Sequence, residues 1–315
     1  MTMRIAGTSF TDSMVSQLNL LSAQEYQLQN QASSGQAISA PEDNPAGMAE
    51  ALNLQAENSA VTQYAQNIST LQTRATIAGN ALTSLQTITE QASEIATQAD
   101  GTSTPAQLQA YASQVTQLIK QAAQLMNSKD GSQYVFGGTS SSSAPFTVST
   151  DADGNVTAVT YSGNTSISQS EIADNMTLAV GVPGENTSGS GARGVVSDSR
   201  YGADLFNHLI ALQNDLQSGN TSAITSTDAP NLSKDDDNII WQVANNGAAQ
   251  SRLTAAASFA STQQSGLQTS LTNVAGADLA QTLTQLTQAS NAYQIALQTS
   301  SQVLQLQQTV LSSLS

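Results

Sequence analysis

From Met48 to Asp100 the chain contains no proline and one glycine, Gly79. Within that run, apolar or small residues recur in alternating steps of three and four: Val61, Tyr64, Ile68, Leu71, Ala75, Ala78, Leu82, Leu85, Thr89, Ala92, Ala96 and Ala99. This spacing is the seam of a long packed helix. Ile77, Ala81, Ile88 and Ile95 widen the stripe, so the helix is expected to touch more than one neighbour. At 1.5 Å per residue, a helix from Asn44 to Asp100 is a rod of roughly 85 Å. A rod of that length needs other long helices beside it to bury its seam. The fold class expected is therefore mainly α, a long coiled-coil bundle.

Both ends of the chain carry the same periodicity. Near the start it runs through Met14, Leu18, Leu21, Glu25, Leu28 and Ala32. Near the end it runs through Leu279, Leu283, Leu286, Ser290, Tyr293, Leu297, Ser300, Leu304, Gln307, Leu311 and Leu314. The two ends are predicted to pair with each other and to form an assembly interface with further copies. Its residues would be Met14, Leu18, Leu21, Leu28, Leu279, Leu283, Leu286, Tyr293, Leu297, Leu304 and Leu311. Between the first seam and the rod lies "SSGQAISAPEDNPAG". Pro41 and Pro45 each lack an N–H and push the preceding residue out of the helical region. Gly35, Pro41, Pro45 and Gly47 therefore mark a hinge between two helical units.

"DGTSTPAQLQ" ends the rod and opens a second helix, with Thr104 as N-cap, Pro105 as first residue and Gln107 completing a capping box. From Tyr134 to Gly194 the texture changes to short β-branched runs between Gly, Asp, Asn and Ser, and "FTVSTDADGNVTAVTYSG" reads as a hairpin. "YGADLFNHLIALQNDLQSG" is a short amphipathic helix. A polar loop is expected next, then a long helix with Ser233 as N-cap and Asp235, Asp236 and Asp237 in its first turn. Gly276 is the pause before the last seam. Three regions are expected: residues 1–40 with 276–315 as terminal coiled coil, 41–130 with 201–275 as a helical bundle, and 131–200 as a small inserted β domain.

Composition narrows the function. The net charge of −15 argues against nucleic acid and against an anionic membrane surface. No stretch approaches the length of a membrane span, and "MTMRIAGTSFTDSMVSQLNLL" lacks the apolar core of a cleaved secretory signal. There is no Cys. His208, the single His, has no convergent partner visible in sequence. "DADGN" at 151–155 departs from a calcium loop, because Gly comes fourth and Ser162 stands at position twelve. A hairpin turn is the better reading. No phosphate-binding Gly loop, Gly-x-Ser-x-Gly or His-Glu-x-x-His occurs. Neither an enzyme nor a metal or other cofactor is expected.

"SSGQAISAPEDNPAG" resembles the link between the terminal helix and the first long helix in flagellin-type proteins. The two prolines around Glu42-Asp43-Asn44 are more like hook–filament junction proteins than filament flagellin. "NSKDGSQYVFGGTSSSSAPF" is similar to the Gly-x-Tyr-x-Phe-x-Gly and Pro-Phe that follow the second helix there. "ADLAQTLTQLTQASNAYQIALQTSSQVLQLQQTVLSSL" resembles the C-terminal helix of both groups. The resemblance covers residues 3–145 and 201–315. It departs in lacking a basic residue in the link and in its charge-poor C-terminal segment. It implies an extracellular structural subunit of the bacterial flagellum, exported through the flagellar channel without a cleaved signal peptide. It also implies partners: copies of itself, neighbouring axial proteins on the hook and filament sides, and an export chaperone at the C-terminal region. Filament flagellin is the alternative within that class. A secreted coiled-coil adhesin with a ligand-binding β domain is the alternative outside it.

Overall fold

The computed structural model describes residues 2–313, and the side chains of residues 11–306, 308 and 309. Two compact units divide the chain: residues 1–60 with 263–315, and residues 61–262. The boundaries fall inside two long helices, away from the hinge and the Gly276 pause where the sequence pattern placed them. The β segment belongs to the second unit and is not separate from it.

Helix α1 spans Thr2–Ser34 and α2 spans Pro45–Gln98. Of the twelve seam positions from Val61 to Ala99, eleven are buried and Tyr64 is half-buried. Gly79 marks a close approach: a Cβ there would come within 2.9 Å of Asn246 Oδ1 and 3.0 Å of Gln250 Nε2. Helix α3, Pro105–Met126, opens on the expected capping box, with Thr104 and Gln107 bonded reciprocally. Its buried face includes Leu108, Val115, Leu118, Ile119 and Ala122.

Short strands follow. β1 (Lys129–Asp130) pairs with β2 (Gln133–Tyr134), and β3 (Phe146–Thr150) pairs antiparallel with β4 (Val156–Tyr161). The β3–β4 turn is tied by Asp151, whose Oδ1 accepts from the backbone N–H of Asp153 and Asn155. β5 (Ser170–Ala173) pairs with β6 (Met176–Leu178). β7 (Glu185–Asn186), β8 (Ser197–Asp198) and β9 (Ala203–Asp204) form a three-stranded sheet within the stretch "GENTSGSGARG" and just beyond it. Phe136, Phe146, Val156, Val195 and Val196 lie in one core with α2, α3 and helix α4, Leu205–Ser218. The β segment is therefore part of the bundle's core. Short strands cannot bury an apolar face among themselves, so they use helices for it.

The polar stretch after α4 is helical. A turn at Thr221–Ala223 (α5) leads into a π turn at Ile224–Asp228 and then α6, Ala229–Ala275. Ser233 is thus inside a helix and caps nothing. Asp235 is buried instead of sitting in an exposed first turn. Its carboxylate accepts from the Asp204 backbone N–H at 2.7 Å and meets His208 Nδ1 at 2.8 Å. His208 therefore has the partner that sequence did not reveal. Burial pulls the imidazole pKa down, but the hydrogen bond and charge of Asp235 outweigh it and leave it raised. Burial also raises Asp235. Glu185, pushed up to about 7 by burial and then by the Asp204 charge, belongs to the same acidic neighbourhood.

In the other unit, α1 packs along α7, Leu279–Ser313. Gly35 ends α1 at φ +70°, with its N–H donated to Gln31 O. Gln36 then bridges Gly276, with Ala37 N–H donating to Ala275 O at 2.7 Å and Ala277 N–H to Gly35 O at 2.9 Å. The end of α1 and the start of α7 meet there, so the two helices run antiparallel. Asn44 caps α2, accepting from Gly47 N–H at 3.0 Å. Asp278 caps α7, accepting from Ala280 and Gln281.

Candidate assembly surface

The α1 half of the predicted seam lies in the register expected. Met14, Leu18, Leu21, Glu25 and Ala32 are half-buried and Leu28 is buried, while most residues between them are exposed. The α7 half is shifted. Its less exposed positions are Thr282, Leu286, Ala289, Ser290, Tyr293, Ala296, Ser300 and Val303. Leu286 and Tyr293 hold their predicted place. Leu283, Leu297 and Leu304 do not: each is one residue past the true seam position and is exposed. Leu279, in the first turn of α7, is also exposed. The Leu311 side chain lies outside the described residues.

Small side chains make this shift. Ala289, Ala296 and Ser300 let α7 approach α1 closely, so leucines at the neighbouring positions turn outward. Sequence reading favoured the leucine row because Leu is more hydrophobic than Ala. The repeat of Ala289, Ala296 and Val303, seven apart, was the signal that could have found the seam. Ile295 and Leu306 on α7, and Val15, Leu20 and Tyr26 on α1, add to the exposed apolar surface.

Electrostatics does little on α7. After Arg252 the only charged side chain is that of Asp278. An apolar surface without charge gains its binding energy from burial and carries little charge to steer its pairing. At the joint, Asp43 collects Ser39, Ala40 and Gln27. Its Oδ2 accepts from the backbone N–H of Ser39 and Ala40, both at 3.0 Å, and Gln27 Nε2 donates to Oδ1 at 3.2 Å. The bonds from Ser39 and Ala40 hold the Asp43 carboxyl below its usual range. Pro41 is thus enclosed in a turn that Asp43 ties, and Pro45 is the first residue of α2. A Cβ on Gly47 would sit 2.6 Å from the Ile38 side chain. Gly35, Pro41, Pro45 and Gly47, expected as a hinge, lie in a bonded joint, closed on the other side by the bridge to Gly276. Among the described residues no metal-binding cluster occurs, and no helix is long and apolar enough to cross a membrane.

Long helices from both chain ends, a short β segment between them and an uncharged apolar face on α7 are the features to compare with known proteins. Residues 8–140 match the family model of the bacterial flagellin N-terminal helical region. The similar solved structures are of hook-associated proteins. A putative flagellar hook-associated protein from Vibrio parahaemolyticus is 19% identical, with a TM-score of 0.62, covering 74% of this chain and 100% of that one. FlgL of Bacillus cereus is 20% identical, with a TM-score of 0.54, covering 70% and 99%. FlgL of Xanthomonas campestris is 19% identical, with a TM-score of 0.54, covering 68% and 98%. These likenesses establish a shared fold. No curated protein matches the chain in sequence.

Proposed function

We propose that this chain is a structural subunit of the bacterial flagellum that forms the junction between hook and filament. The observation that carries the reading is the outward leucine row of α7, Leu283, Leu297 and Leu304, on a charge-free helix paired with α1. The pair leaves Val15, Leu20, Tyr26, Leu283, Ile295, Leu297, Leu304 and Leu306 exposed, and exposed apolar patches mark association sites. The partners are further copies through α1 and α7, a hook-side and a filament-side axial protein, and an export chaperone at the C-terminal region. Export would proceed through the flagellar channel without a cleaved signal peptide, to the outside of the cell. Deleting the gene should leave hooks without filaments, and adding back the full chain should restore filament attachment. Bare hooks that still attach filaments after deletion would overturn the reading. Filament flagellin is the second reading, favoured by the family match at residues 8–140. Copy number separates the two: a handful per flagellum for a junction subunit, thousands for a filament subunit.

A further inference from the structure

Helix α6 carries a second, outward seam, at whose start the Arg193 guanidinium lies over the Trp241 ring at 4.7 Å. Its inward positions are Ile239, Gln242, Asn246, Leu253 and Ala260, all buried. On another face, Trp241, Asn245, Ala248, Arg252, Ala255 and Phe259 follow one another in steps of four and three, and all are exposed. A stripe with that spacing is built to lie along another helix. An aromatic ring stands at each end, small side chains lie between, and one charge, Arg252, sits near the middle. Trp241 is the only Trp of the chain, and Phe259 is 63% exposed. Among the described residues Arg252 has no ion pair.

The same unit holds a groove that matches this stripe. Two adjoining hollows of about 420 and about 470 Å³ run between α2 and α3 and share Gln91. Their apolar lining is Ile88 and Ile95 from α2 and Leu118 and Leu125 from α3, each pair seven residues apart. The rest is Gln, Ser and Thr, with one charged residue, Glu94. Glu94 receives a bond from Gln98 Nε2 and is exposed. Two rows of apolar residues at heptad spacing offer holes for the knobs of a third helix. The sole charge in the groove is acidic and the sole charge on the stripe is basic.

We infer that the α6 stripe of one copy docks in the α2–α3 groove of the next, with Arg252 set against Glu94. The inference rests on the self-assembling subunit proposed above and supplies a lateral contact away from the terminal helices. Stripe and groove are different surfaces, so the contact is heterologous and repeats around a ring or along a helix.

Because the chain has no Cys, one engineered pair reads the contact directly. Full-length Glu94→Cys/Arg252→Cys, assembled on hooks and then treated with a bismaleimide cross-linker long enough to span a Glu–Arg pair, which a direct disulfide is too short to do, should give a ladder of cross-linked oligomers. Each single variant alone should give none, and the two single variants mixed should give cross-linked dimers. Arg252→Glu and Glu94→Arg should each lower incorporation at least about fivefold through like-charge opposition, and the double reversal should restore it. Both positions are exposed, and circular dichroism of each variant checks that the fold is intact. Assemblies that form without a 94–252 ladder overturn the lateral contact and leave the junction reading standing. A double reversal no better than the singles overturns it too. An unmodified chain that never assembles on hooks overturns the junction reading and the contact with it.

Discussion

Residues 61–262 and the two chain ends are built from similar helices but bury them differently. In the first, Leu82, Leu85, Ile119, Leu209 and Leu212 expose no surface at all. In the unit of residues 1–60 and 263–315, the most buried apolar residue described is Ala51 at 4%, while Leu20 and Tyr26 on α1 are about two-thirds exposed. One unit closes its core within a single chain. The other holds a two-helix seam with leucines on its outer side. A seam of that width stabilises little, since single helices are marginal in water and most helical stability comes from packing. At the chain ends the difference separates folding from assembly, because the outer leucines of α7 proposed to join copies are not among the residues that close the core of 61–262.

That separation can be broken by substitution. Leu297→Asp should abolish assembly onto hooks while leaving helicity and the thermal unfolding of residues 61–262 nearly unchanged. Gln298→Asp, also exposed, is the control and should be milder. Normal assembly of Leu297→Asp, or equal damage from both, would remove the outer leucine row from the interface. Leu209→Ala should do the reverse. It leaves a cavity in the closed core and should cost about 2–5 kcal/mol in urea unfolding. If that loss is absent, the core is not as tightly shared as the burial indicates.

Amide exchange sharpens the comparison without mutation. In the monomer, α1 and α7 should exchange far faster than the segments at 61–125 and 205–262, because few buried contacts hold them. Equal protection in a verified monomer would show the terminal pair to be self-sufficient.

The smallest effect expected is a pH dependence confined to residues 61–262. Glu185 is raised from its ordinary value to about 7 by burial and the Asp204 charge, and His208 is raised by Asp235 against the effect of burial. A raised folded-state pKa adds stability that is complete below the unfolded value and lost as pH climbs through the folded one. For Glu185 the loss runs from about 4.5 to about 7, and for His208 it begins near 6.5. Glu185→Gln should therefore raise the unfolding midpoint at pH 8, with a smaller gain at pH 5. An equal gain at both pH values would mean the carboxyl is not what titrates.

Much of this protein was legible because the relevant physics is local. The eleven buried seam positions of α2 follow from the helical period, and the Thr104–Gln107 box follows from unsatisfied backbone N–H groups at a helix start. Asn44, Gly35 and Gly276 mark ends for similar reasons, although the bridge between the joint and the Gly276 pause was not foreseen. Wherever the sequence misled, the deciding interaction came from far along the chain. Asp235 reads as a helix start because carboxylates favour the positive end of a helix. Its burial against His208, 27 residues earlier, is a tertiary fact. The β segment reads as a separate domain because its texture changes, yet Phe146 and Val196 complete a core whose other side is helical.

The α7 seam shows the division most sharply. Sequence determined that α7 is a helix, that it carries rows of apolar residues seven apart, and that it has no charge to direct pairing. Which row faces α1 was left to tertiary structure. Two rows one residue apart, leucines at 283, 297 and 304 and smaller residues at 282, 289 and 296, satisfy the same period. Periodicity counts hydrophobic side chains but does not measure how near two backbones can come. Close approach chose the small row for the intrachain seam and left the leucines facing out.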